Sequence, residues 1–189
     1  MRRTSDAMSA PKLLTLNGKE YTILRLLGKG KGGYTYLAER DGVQYALKQI
    51  HHEPCDYYQF GDKLAAELGD YEKLSALKLP IPTLLDVDRK EERLLKELLP
   101  GETVYQLVLR GTLEPWRLEQ VRTLSQTLRE AGLNIDWFPT NFIPKDGTLY
   151  YVDYECNAYM DQWSFEQWGV LYWSRTPELD AYAKEHGDL

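Results

Sequence analysis

Within NIDWFPTNFIPKDGTLYYVDYE, residues 134–155, three short polar side chains, Asp136, Asn141 and Asp153, stand among bulky apolar and aromatic ones. Taken singly, each is an ordinary turn capper or strand end. Concentrated in so apolar a stretch, they point to a site rather than a solvated surface. A second chemical feature lies far upstream. Gly28-Lys29-Gly30-Lys31-Gly32-Gly33 has the spacing G-x-G-x-x-G, which lets backbone amides approach phosphate oxygens without side-chain clash. A dinucleotide-binding loop of that spacing must open into a helix, whereas Tyr34 to Ala38 continues as a strand. Lys48 follows on the third strand. In isolation it is a solvated strand residue; beneath a glycine turn it can neutralise nucleotide α- and β-phosphates.

The elements that must position these residues are legible from periodicity. Tyr21 to Leu27, Tyr34 to Arg40 and Val43 to Ile50 are strand-like, and Asp41-Gly42 is a two-residue hairpin signal. From Asp62 to Leu77, apolar residues at three- and four-residue intervals predict a helix, ended by Pro80 and Pro82. Thr83 to Val87 and Arg93 to Leu99 add two strands, for an expected five-stranded antiparallel sheet and one helix. Leu118, Val121, Leu124, Leu128 and Ala131 predict another helix, with Pro115 in its first turn and Gly132 at its stop. The loop at Asp136 then runs into a hairpin across Lys145-Asp146-Gly147-Thr148. Trp163 to His186 reads as two helices separated by Arg175-Thr176-Pro177.

Composition limits what such a site serves. The chain has 189 residues, 43% of them hydrophobic, enough for one domain with a real core and with room for two small lobes. A net charge of -6 argues against nucleic-acid backbones as the main ligand, since those demand a basic face. No apolar run approaches the ~20 residues of a membrane span, and MRRTSDAMSAPK lacks the apolar core of a signal peptide. The expected location is cytoplasmic, with residues 1–12 a flexible tail, 13–189 one domain, and Cys55 and Cys156 reduced. His51, His52 and Cys55 lack a fourth metal ligand and read as a plain connection. The aromatic run from Trp163 to Trp173 reads as core, and Glu185 to Asp188 as solvated.

From about Leu13 to Trp173 the order of these parts resembles the protein-kinase-like fold. Gly28, Gly30 and Gly33 match its glycine loop, Ala46-Leu47-Lys48 its third-strand lysine motif, Asp136 to Asn141 its catalytic-loop D-x-x-x-x-N, and Asp153 the Asp that opens D-F-G. The resemblance implies an α+β, two-lobed fold: an N-lobe over 13–100 with the five-stranded sheet and one helix, and a reduced, mainly helical C-lobe over 101–189. It is similar to minimal atypical kinases, with features of small bacterial Ser/Thr kinases, of the RIO and lipopolysaccharide kinases, and of aminoglycoside and choline phosphotransferases. Glu67 is the implied partner of Lys48, with Asp70 and Glu72 as alternatives, and the backbone at Glu97 and Leu99 is the implied adenine contact.

The resemblance further implies ATP and Mg²⁺ as cofactors, with Asn141 and Asp153 holding the metal and Asp136 accepting the proton of an acceptor hydroxyl. A protein Ser/Thr side chain is the leading acceptor and a small alcohol, such as an antibiotic, sugar or choline-like compound, the second. A pseudokinase is the reading from another class, because Asn134 stands where kinases usually carry His. Tyr154-Glu155 replaces Phe-Gly, and there is no A-P-E segment.

Overall fold

Asn17-Gly18, Asp41-Gly42 and Asp146-Gly147 all take left-handed backbone, with φ of 49° and 76°, 53° and 76°, and 48° and 80°. Positive φ at both central residues is what a tight two-residue hairpin requires, because its twist then matches that of the flanking strands. The computed structural model of the protein describes residues 12–54 and 61–187, so all of the expected 1–12 tail but Lys12, together with Cys55 and Asp188, lies outside the described residues. The described chain forms two units, one from residues 12–54, 61–64 and 83–98, the other from 65–82 and 99–187.

The first unit is an antiparallel sheet of β1 (Leu13–Leu16), β2 (Lys19–Lys29), β3 (Gly33–Arg40), β4 (Val43–Ile50), β5 (Leu84–Asp88) and β6 (Arg93–Glu97). Their order across the sheet is β1-β2-β3-β4-β6-β5. Six strands form where the sequence predicts five. The extra strand is β1, folded onto β2 by Asn17-Gly18 so that Leu16 faces Lys19, and it buries Leu16 with Tyr21, Ala38, Leu47 and Leu95. The β5–β6 turn is tied to the β1–β2 turn through Asp88. Its carboxylate accepts from the backbone N–H groups of Asn17 at 2.7 Å, Glu91 at 2.9 Å and Lys90 at 3.0 Å.

The second unit contains most of α1 (Lys63–Ala76), α2 (Val104–Arg110), α3 (Arg117–Glu130) and α4 (Pro177–His186). It also holds two small antiparallel pairs, β7 (Leu133–Ile135) with β10 (Cys156–Ala158) and β8 (Phe142–Lys145) with β9 (Thr148–Tyr151). Pro115 sits in the turn before α3 rather than in the helix: Leu118 N–H reaches its carbonyl, and Trp116 is the cap. Gly132, with φ of 69°, follows the helix end as expected. The predicted pair of helices over Trp163 to His186 needs correction. Only the second is α-helical; the first part is two short 3-10 turns, Asp161–Trp163 and Gly169–Tyr172. In this stretch a Cβ at Gly169 would lie 2.6 Å from Trp137 Cβ, so the backbone itself is packed against that residue.

The core of this unit includes Leu74, Tyr105, Val121, Leu128, Trp137, Phe142, Tyr151, Phe165 and Trp173, with Trp168 and Tyr172 partly buried against it. The expectation that the aromatic run is core is corrected at its first member, Trp163, which is 50% exposed. Among the described residues no helix is long and apolar enough to cross a membrane.

Two outcomes follow from these contacts. The Asn17 N–H bond, then the Glu91 N–H, hold the Asp88 carboxyl below its ordinary value. A depressed native value gives stability that is present above the unfolded value, about 3.9, and lost as pH falls through the native one. Asp88→Asn should therefore melt lower than wild type at pH 7, and the difference should shrink below about pH 4. At the start of β10, Cys156 is buried and its N–H donates to Asp70 at 3.2 Å. Burial first, then the Asp70 carboxylate, push its thiol up to about 12. Iodoacetamide at pH 8, read by peptide mass, should spare Cys156 in the native protein and label it in denaturant, since the thiolate is the reactive form.

Candidate active site

The glycine segment is a hairpin turn whose carbonyls are satisfied from within the first unit. Gly28 and Lys29 end β2, and Gly33 opens β3. Across the turn, Gly30 N–H donates to Gly33 O at 2.9 Å, and His51 N–H donates to Gly32 O at 3.2 Å. The His51 ring places Nε2 3.0 Å from Gly30 O, a bond that needs the proton on Nε2. Lys63 Nζ donates to His51 O at 2.7 Å and to Lys31 O at 3.4 Å. Consecutive carbonyls at 30, 31 and 32 are thus occupied by the protein, so their partial negative charge is neutralised rather than turned on an anion. On the flank, Glu53 accepts from Tyr34 Oη and pairs with Lys29 at 2.9 Å.

Lys48 stands in mid β4, opposite Thr35 of β3 and Leu94 of β6. A Cβ built on Gly32 would be 3.9 Å from Lys48 Nζ, which puts the ammonium directly against the turn. The glycines divide by what surrounds them. Cβ atoms at Gly28 and Gly30 would meet nothing within 4 Å, whereas one at Gly33 would lie 2.4 Å from Gln49 O. Gly33 is therefore demanded by strand packing, while Gly28 and Gly30 leave open surface.

In the second unit, β7 delivers the chain to Asp136, whose Oδ1 accepts from Phe138 N–H at 3.0 Å. A single 3-10 turn, Pro139–Asn141, brings Asn141 back so that its Nδ2 lies 3.4 Å from Asp136 O. Val152 N–H donates to Asn141 O at 2.9 Å, which joins the segment of Asp153 to the same loop. The fold thus gathers Asp136, Asn141 and Asp153 in one place, Asp136 exposed and the other two half-buried. Asp153 Oδ1 accepts from Tyr154 N–H at 2.8 Å. Tyr154 turns inward, its hydroxyl donating to Pro82 O at 2.7 Å and its ring 4.7 Å from that of Tyr71.

Asn134 braces this loop through both ends of its amide. Its side-chain oxygen accepts from Trp137 Nε1 at 2.7 Å and its amide donates to Trp163 O at 2.7 Å. Trp173 Nε1 donates to Trp137 O at 2.8 Å. Phe138 packs on Tyr182, Tyr172 and Tyr105 with ring centroids 4.6, 5.0 and 6.1 Å apart.

The remaining predicted residues are placed as follows. Of the three α1 carboxylates, Glu67 is buried, Asp70 is engaged by Lys73 at 2.8 Å and by Cys156 N–H, and Glu72 is exposed. Glu97 ends β6; its N–H donates to Thr83 O at 2.9 Å and its carboxylate accepts from the Thr83 hydroxyl at 3.1 Å. Leu99 is buried. Among the described residues no three His, Cys, Asp or Glu side chains form a metal cluster. Sequence reasoning missed His51 and Lys63 as holders of the glycine turn. The available signal was a lysine opening α1, the helix end where a cation is disfavoured by the helix dipole. No family model and no curated protein sequence matches the chain.

The glycine contacts predict a split. Gly28→Ala and Gly30→Ala should keep the wild-type melting temperature within about a degree in a thermal melt, since their Cβ atoms meet nothing. Gly33→Ala should destabilise by at least the ~1–3 kcal/mol of an overpacked site.

Proposed function

We propose that the protein is a kinase-like phosphotransferase that moves the γ-phosphoryl group of ATP to a hydroxyl, with a protein Ser/Thr side chain as the acceptor. The observation that carries this is the Lys48 ammonium set against a glycine turn whose carbonyls are already occupied. A cation beside backbone that accepts no further charge is suited to phosphate oxygens. Leu24, Leu26 and Leu27, exposed on the strand just before the turn, supply apolar surface of the kind a flat heterocycle covers.

The second unit's residues suit the other half of the reaction. Asn141 and Asp153 offer one amide and one carboxylate oxygen, a hard donor set that fits Mg²⁺, an ion that takes one or two protein ligands beside phosphate oxygens and water. When bound, that ion neutralises charge on the transferring phosphate. Asp136 is exposed and fixed by its turn, so it can orient the acceptor hydroxyl and take its proton while the new O–P bond forms and the bond to the ADP oxygen breaks. Glu67, buried in α1, is the assigned partner of Lys48, and the backbone at Glu97 and Leu99 is assigned to the adenine edge. The bracing of Asn134 by Trp137 and Trp163 supports a working loop in place of a decayed one.

A small-molecule alcohol is the second reading. The packing of Tyr154 on Tyr71 and the return of the chain into β10 directly after Glu155 favour it, because they leave little loop on which a protein substrate can lie.

With γ-labelled ATP and Mg²⁺, wild-type protein should label an acceptor. Asp136→Ala should lower the rate ~10²–10⁴-fold, and Lys48→Met ~10²–10³-fold, as for loss of one electrostatic donor, both with unchanged circular dichroism. Label in precipitable protein supports the Ser/Thr acceptor, and a soluble labelled product the alcohol. Equal transfer by all three proteins would refute the assignment.

A further inference from the structure

Trp163 ends the 3-10 turn that Met160 caps, and each of these large apolar side chains is 50% exposed. The turn is firmly held. Trp163 N–H donates to Met160 O at 3.0 Å, Ser164 N–H to Asp161 O at 3.0 Å, and Trp163 O accepts from the Asn134 amide at 2.7 Å. Apolar side chains kept open on fixed backbone are surface of the kind that meets a partner. Beside them is an open hollow of about 550 Å³, lined by Met160, Asp161, Gln162 and Gln167. Rings connect this turn to the candidate site within the same unit: Trp163 to Trp168 at 6.0 Å and Trp168 to Phe138 at 6.3 Å, with Phe138 N–H bonded to Asp136 at 3.0 Å.

The charge around the turn selects the partner. From residue 146 to 174 the sequence holds five carboxylates, Asp146, Asp153, Glu155, Asp161 and Glu166, and no Lys, Arg or His. Asp161 and Glu166 are exposed, and each has one oxygen held by a neutral hydroxyl at 2.9 Å, that of Tyr159 and that of Ser125. Among the described residues neither carboxylate is in an ion pair. Arg129 enters from α3, its guanidinium 5.5 Å over the Tyr159 ring. An open indole beside a carboxylate with charge to spare suits a guanidinium or ammonium, which gains from the ring face and from the charge together.

We propose that the turn at residues 160–163 is a docking surface for the acceptor peptide, taking an Arg or Lys side chain that lies within about four residues of the phosphorylated Ser or Thr. The inference deepens the phosphotransfer reading and rests on it for the occupant's role as acceptor. At ~3.3 Å per residue of extended chain, the two ring-to-ring steps from Trp163 to Phe138 are spanned by about four residues. An alcohol small enough to sit at Asp136 alone leaves this surface unused.

Two peptides test this, alike except for Arg, or Gln in its place, about three residues to either side of a single Ser. Calorimetry at low salt without nucleotide should show wild type binding the Arg peptide about 5- to 30-fold tighter than the Gln peptide, the scale of one interface anchor. That advantage should vanish in Trp163→Ala and shrink in Asp161→Asn. With ATP and Mg²⁺, both variants should raise KM for the Arg peptide by a similar factor while kcat falls less than about twofold, since lost uniform binding moves KM alone. Equal binding of the two peptides by wild type would overturn the proposal, even if Trp163→Ala fails to fold. So would a dimer in sedimentation that Trp163→Ala dissolves, because a second copy then covers the turn. Preferred binding of the Arg peptide with no phosphate transferred to it would defeat the phosphotransfer reading and leave the docking surface. Transfer to both peptides with equal KM would defeat the surface alone.

Discussion

Trp137 is 1% exposed, its indole N–H is held by Asn134 and its carbonyl by the Trp173 indole, and it stands next to Asp136, which is exposed. An exposed carboxylate is not oriented by burial of its own, so its orientation has to come from its neighbours. Here it comes from one large ring wedged into the core, in contact with Phe142 and Phe165. Truncating a buried Trp costs ~3–5 kcal/mol, so the ring is fixed about as firmly as the unit itself. The indole bonds satisfy polar groups that would otherwise be stranded beside it. The backbone at Gly169 lies so close to Trp137 that a side chain there would collide with it, so the tail is packed onto this ring through a glycine.

The glycine turn shows a complementary constraint in the other unit. Its backbone is held from outside the hairpin, by His51 and Lys63, rather than by side chains of its own. A turn rich in glycine loses much entropy when it is ordered. Contacts from a neighbouring segment supply that order without adding bulk to the face left open at Gly28 and Gly30. Lys63 is 7% exposed at the start of α1, an unfavourable place for an ammonium, and its two carbonyl contacts account for its being there.

How far the sequence disclosed this depends on range. Two of the three Asx-Gly hairpins are legible as such, with their strands; the third, Asn17-Gly18, carries the same signal, yet the short LLTL before it gives little periodicity to read. The helix α2 has a Thr103–Gln106 capping box and Gly111 in left-handed backbone, local signals too short to stand out beside a helix of seven residues. Asp136 and Asn141 are visible as a pair because five residues and one turn separate them. Asn134, His51 and Lys63 are invisible in their roles, since each acts through partners 3 to 32 residues away, fixed only by tertiary packing. Asn134 reads as a departure in the sequence and as a brace in the structure. What the loop needs at that position is a buried group that both accepts and donates, and an amide does this as well as an imidazole does.

The segment after Asp153 constrains what the site can become. Only Tyr154 and Glu155 separate Asp153 from β10, Tyr154 is fully buried, and β10 is paired with the strand that leads to Asp136. A switch that worked by ordering this segment would need it to be loose in one state, and a chain with a buried tyrosine, a hydroxyl bond to Pro82 and a ladder to β7 has no loose state short of opening the unit. On the proposed assignment the acceptor half is therefore built in its working geometry. Control of such an enzyme would have to fall on nucleotide access or on supply of the acceptor, because the carboxylates themselves are held by the same core that holds the unit together.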